Sequence, residues 1–171
     1  MQRMSDTRWK PSVTVAAVVE RGGRYLLVEE RTPEGLRLNN PAGHLDPGET
    51  PEQGACRECL EETACVFVPQ ALVGVYLARF ARAARPDQPA EDITYLRFAY
   101  AGTVGAPEPG RRLDAPVERT LWLTLDEVRA SAARHRSPLV LRCIADHAAG
   151  VRHPLGLVQA DASLTHPFVP T

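Results

Sequence analysis

The stretch from Gly43 to Cys65 reads GHLDPGETPEQGACRECLEETAC, and it predicts a helix with one acidic face. Thr50 is a favoured N-cap residue, Pro51 suits the first helical position, and Gln53 can complete a capping box with Thr50. At about 100° per residue, three glutamates share one face of this helix and most of its apolar side chains share the other. The glutamates are Glu58, Glu61 and Glu62, and the opposite face carries Cys56, Cys59, Leu60 and Thr63.

The acidic face of this helix indicates a metal site. Acidic side chains three or four residues apart repel one another by about 0.2–0.5 kcal/mol per pair, and a bound cation reverses that sign. Magnesium is usually held by one or two carboxylates, together with waters and the phosphates of a substrate. The three glutamates therefore predict Mg²⁺, with Mn²⁺ as a possible substitute, and a phosphate-bearing substrate. A solvated acidic helix face is the alternative interpretation.

The charged residues of this stretch follow a longer pattern, G-x5-E-x7-R-E-U-x-E-E-x-G-U, in which U is an aliphatic residue. The pattern is met at Gly43, Glu49, Arg57, Glu58, Glu61 and Glu62. In these residues the stretch resembles the Nudix box, and it departs from it at Ala64, Cys59 and Cys65. A glycine at position 64 would allow a left-handed helix end, where alanine costs about 1 kcal/mol, so we expect this helix to end in another geometry.

The resemblance to the Nudix family implies roles for the residues of the box. Glu58 and Glu62 would stand at the core metal positions with Glu61 as a further ligand, and Glu58 is a candidate general base. Arg57 is expected to point away from the metal and to pair with Glu49, bracing the loop before the helix. Gly43 would let the main chain approach a metal or phosphate closely.

Acidic residues outside the box are further candidates for the metal site. Glu118, four residues before Trp122, matches a position where Nudix proteins often carry an additional acid near the metals. Its alternative is a surface glutamate at the start of a strand, because glutamate is rarely buried without a partner. Asp92 and Asp114 are weaker candidates.

Other segments are similar to one branch of the Nudix family, the NudJ-type phosphatases, over the range Ser12 to Leu157. They are VTVAAVV, NPAGHLDPGET, YLRFAY, WLTLDE, RSPLV and HPL. This resemblance implies metal-dependent hydrolysis of nucleoside di- and triphosphates, thiamine pyrophosphate or its pyrimidine precursor diphosphate. Leu38 stands where that branch tends to carry an aromatic residue, so ring stacking is not expected there. The alternatives are general nucleoside-triphosphate cleanup, dinucleoside-polyphosphate hydrolysis, and a non-catalytic nucleotide-binding module.

Length and composition indicate one globular domain over residues 12–157, with terminal segments 1–11 and 158–171. The chain has 171 residues, of which 44% are hydrophobic and 24% charged, and its net charge is −1. That charge does not favour binding to long nucleic acids or membranes. Without an apolar signal core near Met1, we expect a cytoplasmic protein that acts on a small molecule as a monomer or homodimer. Zinc is not expected at Cys56 and Cys59, because no second ligand pair follows.

The apolar pattern predicts strands on both sides of the acidic helix. Ser12–Val19 and Tyr25–Glu29 form a hairpin, and the polar segment Arg31–Asn40 is expected to be a loop over the site. Candidate substrate contacts there are Asn39, Asn40 and His44, whose alternatives are turn-forming or surface roles. Leu72–Phe80 and Ile93–Val104 form an antiparallel pair around the loop Arg82–Asp92. On these strands Arg79 and Arg97 could clamp a phosphate, and exposure to solvent is the alternative.

The last third of the chain predicts one more strand and two helices. Ala106–Pro116 is expected to be a flexible connection, followed by a strand at Glu118–Leu123 and by a helix capped by Thr124 and Glu127. A second helix follows Pro138, with His147 as a surface group, and the tail beyond His153 is loop-like. This order fits an α/β fold, an α/β/α sandwich with a mixed β-sheet, which the Nudix resemblance also implies.

Overall fold

The computed structural model describes residues 9–84 and 89–165. The strands are β1 Ser12–Arg21, β2 Arg24–Thr32, β3 Gly35–Asn39, β4 Ala42–His44, β5 Phe67–Arg82, β6 Glu91–Val104 and β7 Val117–Thr124. The helices are α1 Pro51–Thr63, α2 Leu125–Ala130 and α3 Leu139–Ala148, with short 3₁₀ helices at Ala132–Arg134, Leu155–Leu157 and Ala162–Thr165. The ends of the predicted terminal segments (1–8 and 166–171) and the middle of the Arg82–Asp92 loop (85–88) lie outside the described residues.

The strands form a mixed sheet in the order β3-β2-β1-β6-β5, with β4 added to β1 and β7 added to β2. β1 runs parallel to β6, and their register extends from Ser12–Tyr95 to Val19–Gly102. β5 and β6 pair antiparallel, as the sequence predicts. β5 begins earlier than expected, at Phe67, and β6 begins at Glu91.

Apolar side chains pack on both faces of the sheet. One core joins α1 to the sheet through Val15, Ala17, Val19, Ala55, Cys59 and Tyr100. The other core joins α2 and α3 to the opposite face through Ala16, Val18, Leu27, Val128, Val140 and Ile144. Because β1 is covered on both faces, its side chains are apolar in both directions. Helices on both sides of a mixed sheet confirm the predicted α/β/α sandwich. No helix in the described part of the chain is long and apolar enough to cross a membrane.

β1 and β2 separate soon after the turn that joins them. They pair at Glu20–Tyr25 and Arg21–Arg24. Further along, β1 pairs with β4 through Thr14–His44 to Ala16–Ala42, whereas β2 pairs with β3 from Val28–Asn39 to Thr32–Gly35. The sheet therefore divides at the end that contains the start of β1 and the end of β2.

Helix α1 begins as predicted and ends in an unexpected way. Gln53 N donates to Thr50 Oγ1 at 3.2 Å and Thr50 N donates to Gln53 Oε1 at 2.9 Å, which completes the capping box. Ala64 has φ 58° and ψ 15°, in the left-handed region, so the prediction of another helix end was wrong. Ala64 is 3% exposed and its carbonyl accepts a hydrogen bond from Glu108 N at 2.7 Å. Packing and this bond therefore hold a geometry that alanine disfavours.

Two segments that were expected to be irregular are fixed in the structure. The prediction of a loop at Arg31–Asn40 was wrong, because β2 continues to Thr32 and β3 pairs back onto it after a two-residue turn. The hairpin is held by backbone hydrogen bonds, which do not require apolar side chains, so the polar sequence of this segment did not indicate a strand. Ala106–Pro116 has no regular secondary structure, but Asp114 N donates to Glu61 O at 3.0 Å. With the Glu108–Ala64 bond, this contact ties the connection to the end of α1 instead of leaving it flexible.

Candidate active site

Glu58, Glu61 and Glu62 lie within little more than one turn of α1, but their environments differ. Glu62 is 9% exposed and accepts a hydrogen bond from Ala42 N at 2.8 Å. The Glu58 side chain is 13% exposed, whereas that of Glu61 is 32% exposed. The helix therefore presents two largely buried carboxylates beside one that reaches solvent.

Burial raises the pKa of both largely buried carboxylates above the ordinary value for glutamate. Burial raises the pKa of Glu62 to about 8, opposed by the Ala42 amide and reinforced by Glu30 and Glu58 nearby. Burial also raises the pKa of Glu58, although Arg57 acts in the opposite direction. A divalent cation beside these groups would favour their ionised forms.

Arg57 binds acceptors with all five of its N–H donors. Its Nε and Nη2 donate to the two carboxylate oxygens of Glu49 at 3.0 and 2.7 Å, and Nη2 also donates to His44 O at 2.9 Å. These bonds confirm the predicted Arg57–Glu49 pair. Nη1 donates to Glu58 Oε1 at 2.7 Å and to Glu61 Oε2 at 3.2 Å, two contacts that the sequence did not predict. Arg57 therefore joins the loop before α1 to two of the three glutamates.

Gly43 allows the Glu58 carboxylate to lie directly against the main chain of β4. An ideal Cβ on Gly43 would lie 2.2 Å from both Cδ and Oε1 of Glu58, a distance that no side chain tolerates. Gly43 pairs with Val15 of β1, so its position is fixed by the sheet. The close approach thus places one candidate ligand against a rigid strand.

The chemistry of these donors fits a magnesium ion. Carboxylate oxygens are hard ligands, and Mg²⁺ needs only one or two of them when waters and substrate phosphates complete its coordination. Among the residues that the structure describes, no three His, Cys, Asp or Glu side chains already converge as a closed metal site. Arg57 and the Ala42 amide instead engage the carboxylates. Glu58, Glu61 and Glu62 are the residues that would hold the ion.

The acidic candidates outside the box have other contacts. Glu118 is exposed and pairs with Arg31 at 2.7 Å, which fits the surface alternative. Asp92 pairs with Arg79 at 2.6 Å on the exposed side of the β5–β6 hairpin. Asp114 meets α1 through its main chain and its side chain is exposed. The structure brings none of these three side chains into contact with the glutamates of α1.

The polar candidates near the box divide into buried and exposed residues. Asn39 is 6% exposed, Asn40 is 0% exposed and Arg97 is 8% exposed, so the surface interpretation was wrong for all three. His44 is exposed, with its ring 6.3 Å from that of Tyr95, and Arg79 is exposed as its alternative predicted. Strand alternation shows which side chains share a face but not which face is covered, so the sequence could not separate the buried residues from the exposed ones.

Sequence reasoning missed Glu30 and Thr14, which lie beside these buried residues. Glu30 is 5% exposed, accepts a hydrogen bond from Asn39 Nδ2 at 3.0 Å and lies 3.3 Å from Arg136 Nε. Thr14 is 5% exposed and its hydroxyl faces Arg97 Nε at 3.4 Å. A usable signal was the position of Glu30 directly after the apolar run of β2, where a continuing strand keeps its side chains inside.

The cysteines and His147 do not form a second site. Cys59, Cys65 and Cys143 are buried, Cys56 is half-buried, and all four are free thiols. His147 is half-buried on the apolar side of α3, with Nδ1 3.1 Å from the Tyr25 hydroxyl. Burial lowers its pKa to about 4.

Comparisons with known proteins agree with this geometry. The NUDIX domain family model matches residues 9–143. Phosphatase NudJ of Escherichia coli K12 is 34% identical over 150 residues, which cover 88% of this chain and 92% of that protein. A solved NUDIX hydrolase from Nitrosomonas europaea is 47% identical with a TM-score of 0.78, covering 89% of this chain and 98% of that chain. A UDP-X diphosphatase shares the fold at 15% identity and a TM-score of 0.61, covering 89% of this chain and 70% of its own. The chain therefore belongs to the Nudix hydrolase family.

Proposed function

We propose that this enzyme hydrolyses a phosphoanhydride bond in a small diphosphate-bearing metabolite, with Mg²⁺ held by Glu58, Glu61 and Glu62. The observation that carries the proposal is the position of two largely buried carboxylates, Glu58 and Glu62, against the main chain of β4, with Arg57 as their one ion-pair partner among the described residues. A divalent cation supplies the charge that these groups lack, and Mn²⁺ is a hard enough ion to replace Mg²⁺.

The residues of the box have separate roles in this proposal. Diphosphate hydrolysis requires neutralised phosphate oxygens and a water held in line with the leaving group. The metal supplies Lewis-acid neutralisation when it is bound. Glu58, fixed against Gly43, is placed to accept the proton of the attacking water as general base. Arg57 and Glu49 orient Glu58 from the side, and the Ala42 amide orients Glu62.

The relationship to phosphatase NudJ favours small substrates. We place nucleoside di- and triphosphates, thiamine pyrophosphate and its pyrimidine precursor diphosphate first. General nucleoside-triphosphate cleanup and dinucleoside-polyphosphate hydrolysis are the alternatives within the same chemistry. A non-catalytic binding module is disfavoured, because each charged residue of the box is present.

A substrate panel tests the proposal. Phosphate release is measured with each candidate diphosphate in magnesium, in manganese and in excess EDTA, and the substrates are ranked by kcat/KM. We expect release only with a divalent metal, and loss of most activity in Glu62→Gln, which removes a ligand charge. Activity in EDTA, or a variant within a few-fold of the parent at saturating magnesium, would defeat the metal assignment.

The dependence of the rate on pH gives a second test of the same site. Protons and metal compete for the same carboxylates, so activity should rise from mildly acidic pH to an alkaline plateau. The rise should move to lower pH as magnesium is increased. Because Glu58 and Glu62 lie beside each other, the profile reports the pair and not one carboxyl group. Normalised curves that superimpose at all magnesium concentrations would exclude this helix as the catalytic metal site.

We also place the reaction in the cytoplasm, on a small-molecule substrate, by a monomer or homodimer. The free state of Cys56, Cys59, Cys65 and Cys143 supports a reducing compartment. Size-exclusion chromatography with light scattering distinguishes the two oligomeric states.

A further inference from the structure

A group of buried polar side chains lies where β1 and β2 separate, and we call it the central polar cluster. Its members come from five different elements and from the turn between β3 and β4. They are 0–9% exposed: Thr14, Glu30, Asn39, Asn40, Glu62 and Arg97. Only Glu62 belongs to the Nudix box, so the proposed diphosphate chemistry leaves the other members without a role.

Arg97 is the unusual member of the central polar cluster. Its Nε donates to Thr14 Oγ1 at 3.4 Å, and its Nη1 has no hydrogen-bond partner. The Cys143 thiol of α3 faces the guanidinium, and the carboxylates of Glu30 and Glu62 attract its charge from farther away, without an ion pair to it among the described residues. A guanidinium buried in this way is costly unless another group accepts its hydrogen bonds.

The two asparagines of the cluster also carry unused hydrogen-bonding groups. Asn40 is 0% exposed, and neither its Oδ1 nor its Nδ2 has a partner. Asn39 donates to Glu30, but its Oδ1 has no partner. Native proteins leave few buried polar atoms unpaired, and such a concentration needs an explanation. The unpaired atoms include both hydrogen-bond donors and acceptors, so they could bind a ligand that itself carries both.

Strand register places the Arg97 backbone two strands away from β4, the strand that contacts the acidic helix. Arg97 is opposite Thr14 in the β6–β1 pair, and Thr14 is opposite His44 in the β1–β4 pair. Adjacent strands lie about 4.8 Å apart, so the Arg97 backbone is about 10 Å from the strand that contains Gly43. A group attached to a diphosphate at the glutamates of α1 would therefore be within reach of the central polar cluster, since Glu62 belongs to both and interacts with Glu30 and Arg97.

We propose that Arg97 is a specificity-determining residue that recognises a heterocyclic group attached to the diphosphate. Its Nη1 donates to a ring nitrogen or carbonyl oxygen of that group, and the amides of Asn39 and Asn40 bind neighbouring positions of the ring. This inference rests on the proposed function, because it assumes that the scissile diphosphate lies at α1. It predicts that the enzyme discriminates by the ring and not by the diphosphate alone.

The test compares two substrates that differ only in the ring. Uridine diphosphate carries carbonyl acceptors, whereas ribose 5-diphosphate keeps the sugar and the diphosphate without the ring. The parent should prefer uridine diphosphate by at least about tenfold in kcat/KM, since a site built for a hydrogen bond rejects a partner that lacks it. Arg97→Gln should lose about 10- to 100-fold for uridine diphosphate and less than about twofold for ribose 5-diphosphate.

Arg79→Gln is the matched control, because Arg79 lies on the neighbouring strand, is exposed and pairs with Asp92. Its two kcat/KM values should stay within about twofold of the parent. Equal losses on both substrates in Arg97→Gln would overturn the inference. If that variant does not fold, a parent that shows no preference for uridine diphosphate would overturn it equally.

Binding of uridine, which has no phosphate, separates this inference from the proposed function. Equilibrium dialysis should detect uridine binding to the parent that weakens at least about tenfold in Arg97→Gln. Absence of phosphate release from every member of the substrate panel would defeat the proposed function, whereas unchanged uridine binding in the variant would defeat the role of Arg97.

Discussion

Replacing Glu62 by glutamine should stabilise the metal-free protein at alkaline pH while removing most of its activity. Glu62 is largely buried and its carboxylate accepts one hydrogen bond, from Ala42 N. Burial raises its pKa to about 8, so the folded protein binds the Glu62 proton more tightly than the unfolded chain does. The free energy of unfolding of the parent should therefore decrease as the pH rises from about 4.5 through about 8.

The size of this effect follows from the two pKa values. A pKa that rises from an ordinary 4.5 to about 8 corresponds to about 5 kcal/mol at about 1.36 kcal/mol per pKa unit, an upper limit reached well above pH 8. Glutamine keeps an acceptor for Ala42 N but adds an amide donor that needs its own partner, at a cost of about 1–3 kcal/mol. The net gain for Glu62→Gln near pH 9 is therefore about 2–4 kcal/mol.

Urea unfolding followed by circular dichroism, in EDTA at about pH 5, 7 and 9, measures this gain. Glu61→Gln is the control, because it removes a carboxylate from the same helix face whose side chain is 32% exposed. The curve of stability against pH should flatten in Glu62→Gln and keep its slope in Glu61→Gln. Parallel pH curves for the parent and Glu62→Gln would refute the reasoning.

Three further substitutions test the Arg57–Glu49 pair, the contact of Gly43 with the Glu58 carboxylate, and the half-buried His147. Arg57→Ala should lose activity and about 1–3 kcal/mol of stability, because Glu49 loses its cation, and lysine should rescue poorly because it lacks the planar fork. An unchanged melting temperature with unchanged activity would exclude the brace. Gly43→Ala should lower kcat about 100-fold by displacing Glu58, with little change in melting temperature; near-parental kcat would count against it. His147 stays neutral in the fold because burial lowers its pKa to about 4. Stability should therefore fall as pH drops below about 6.5, less steeply in His147→Gln, and equal acid profiles in urea unfolding would contradict this.

The parts of the fold that are encoded locally could be predicted from the sequence. The start of α1 depends on Thr50 and Gln53, three residues apart, and both capping bonds are present. Arg57 and Glu49 are eight residues apart, on a helix and the loop that leads into it, and they pair as expected. A residue pattern of this length specifies its own geometry, because its partners are close along the chain.

The parts that depend on distant strands could not be predicted. Whether Arg97 faces the core or the solvent is decided by its pairing with Thr14, which is 83 residues away. Asn40 looks like a turn residue in isolation, and it is buried because β3 and β4 lie on different halves of the divided sheet. The left-handed Ala64 likewise depends on a hydrogen bond from Glu108. Local propensity gives no information about these long-range contacts.

The parallel pairing of β1 with β6 affects the order in which parts of the protein fold. α1 and the turn that joins β1 to β2 are built from local contacts and can form early, whereas the β1–β6 register joins residues such as Ser12 and Tyr95 across much of the chain. Closing a loop of that length is slow, and contacts of this kind limit folding rates. A ribosome must therefore release the chain beyond Val104 before Arg97 can reach Thr14. Until then a nascent chain can carry a formed acidic helix without the buried contact between Arg97 and Thr14.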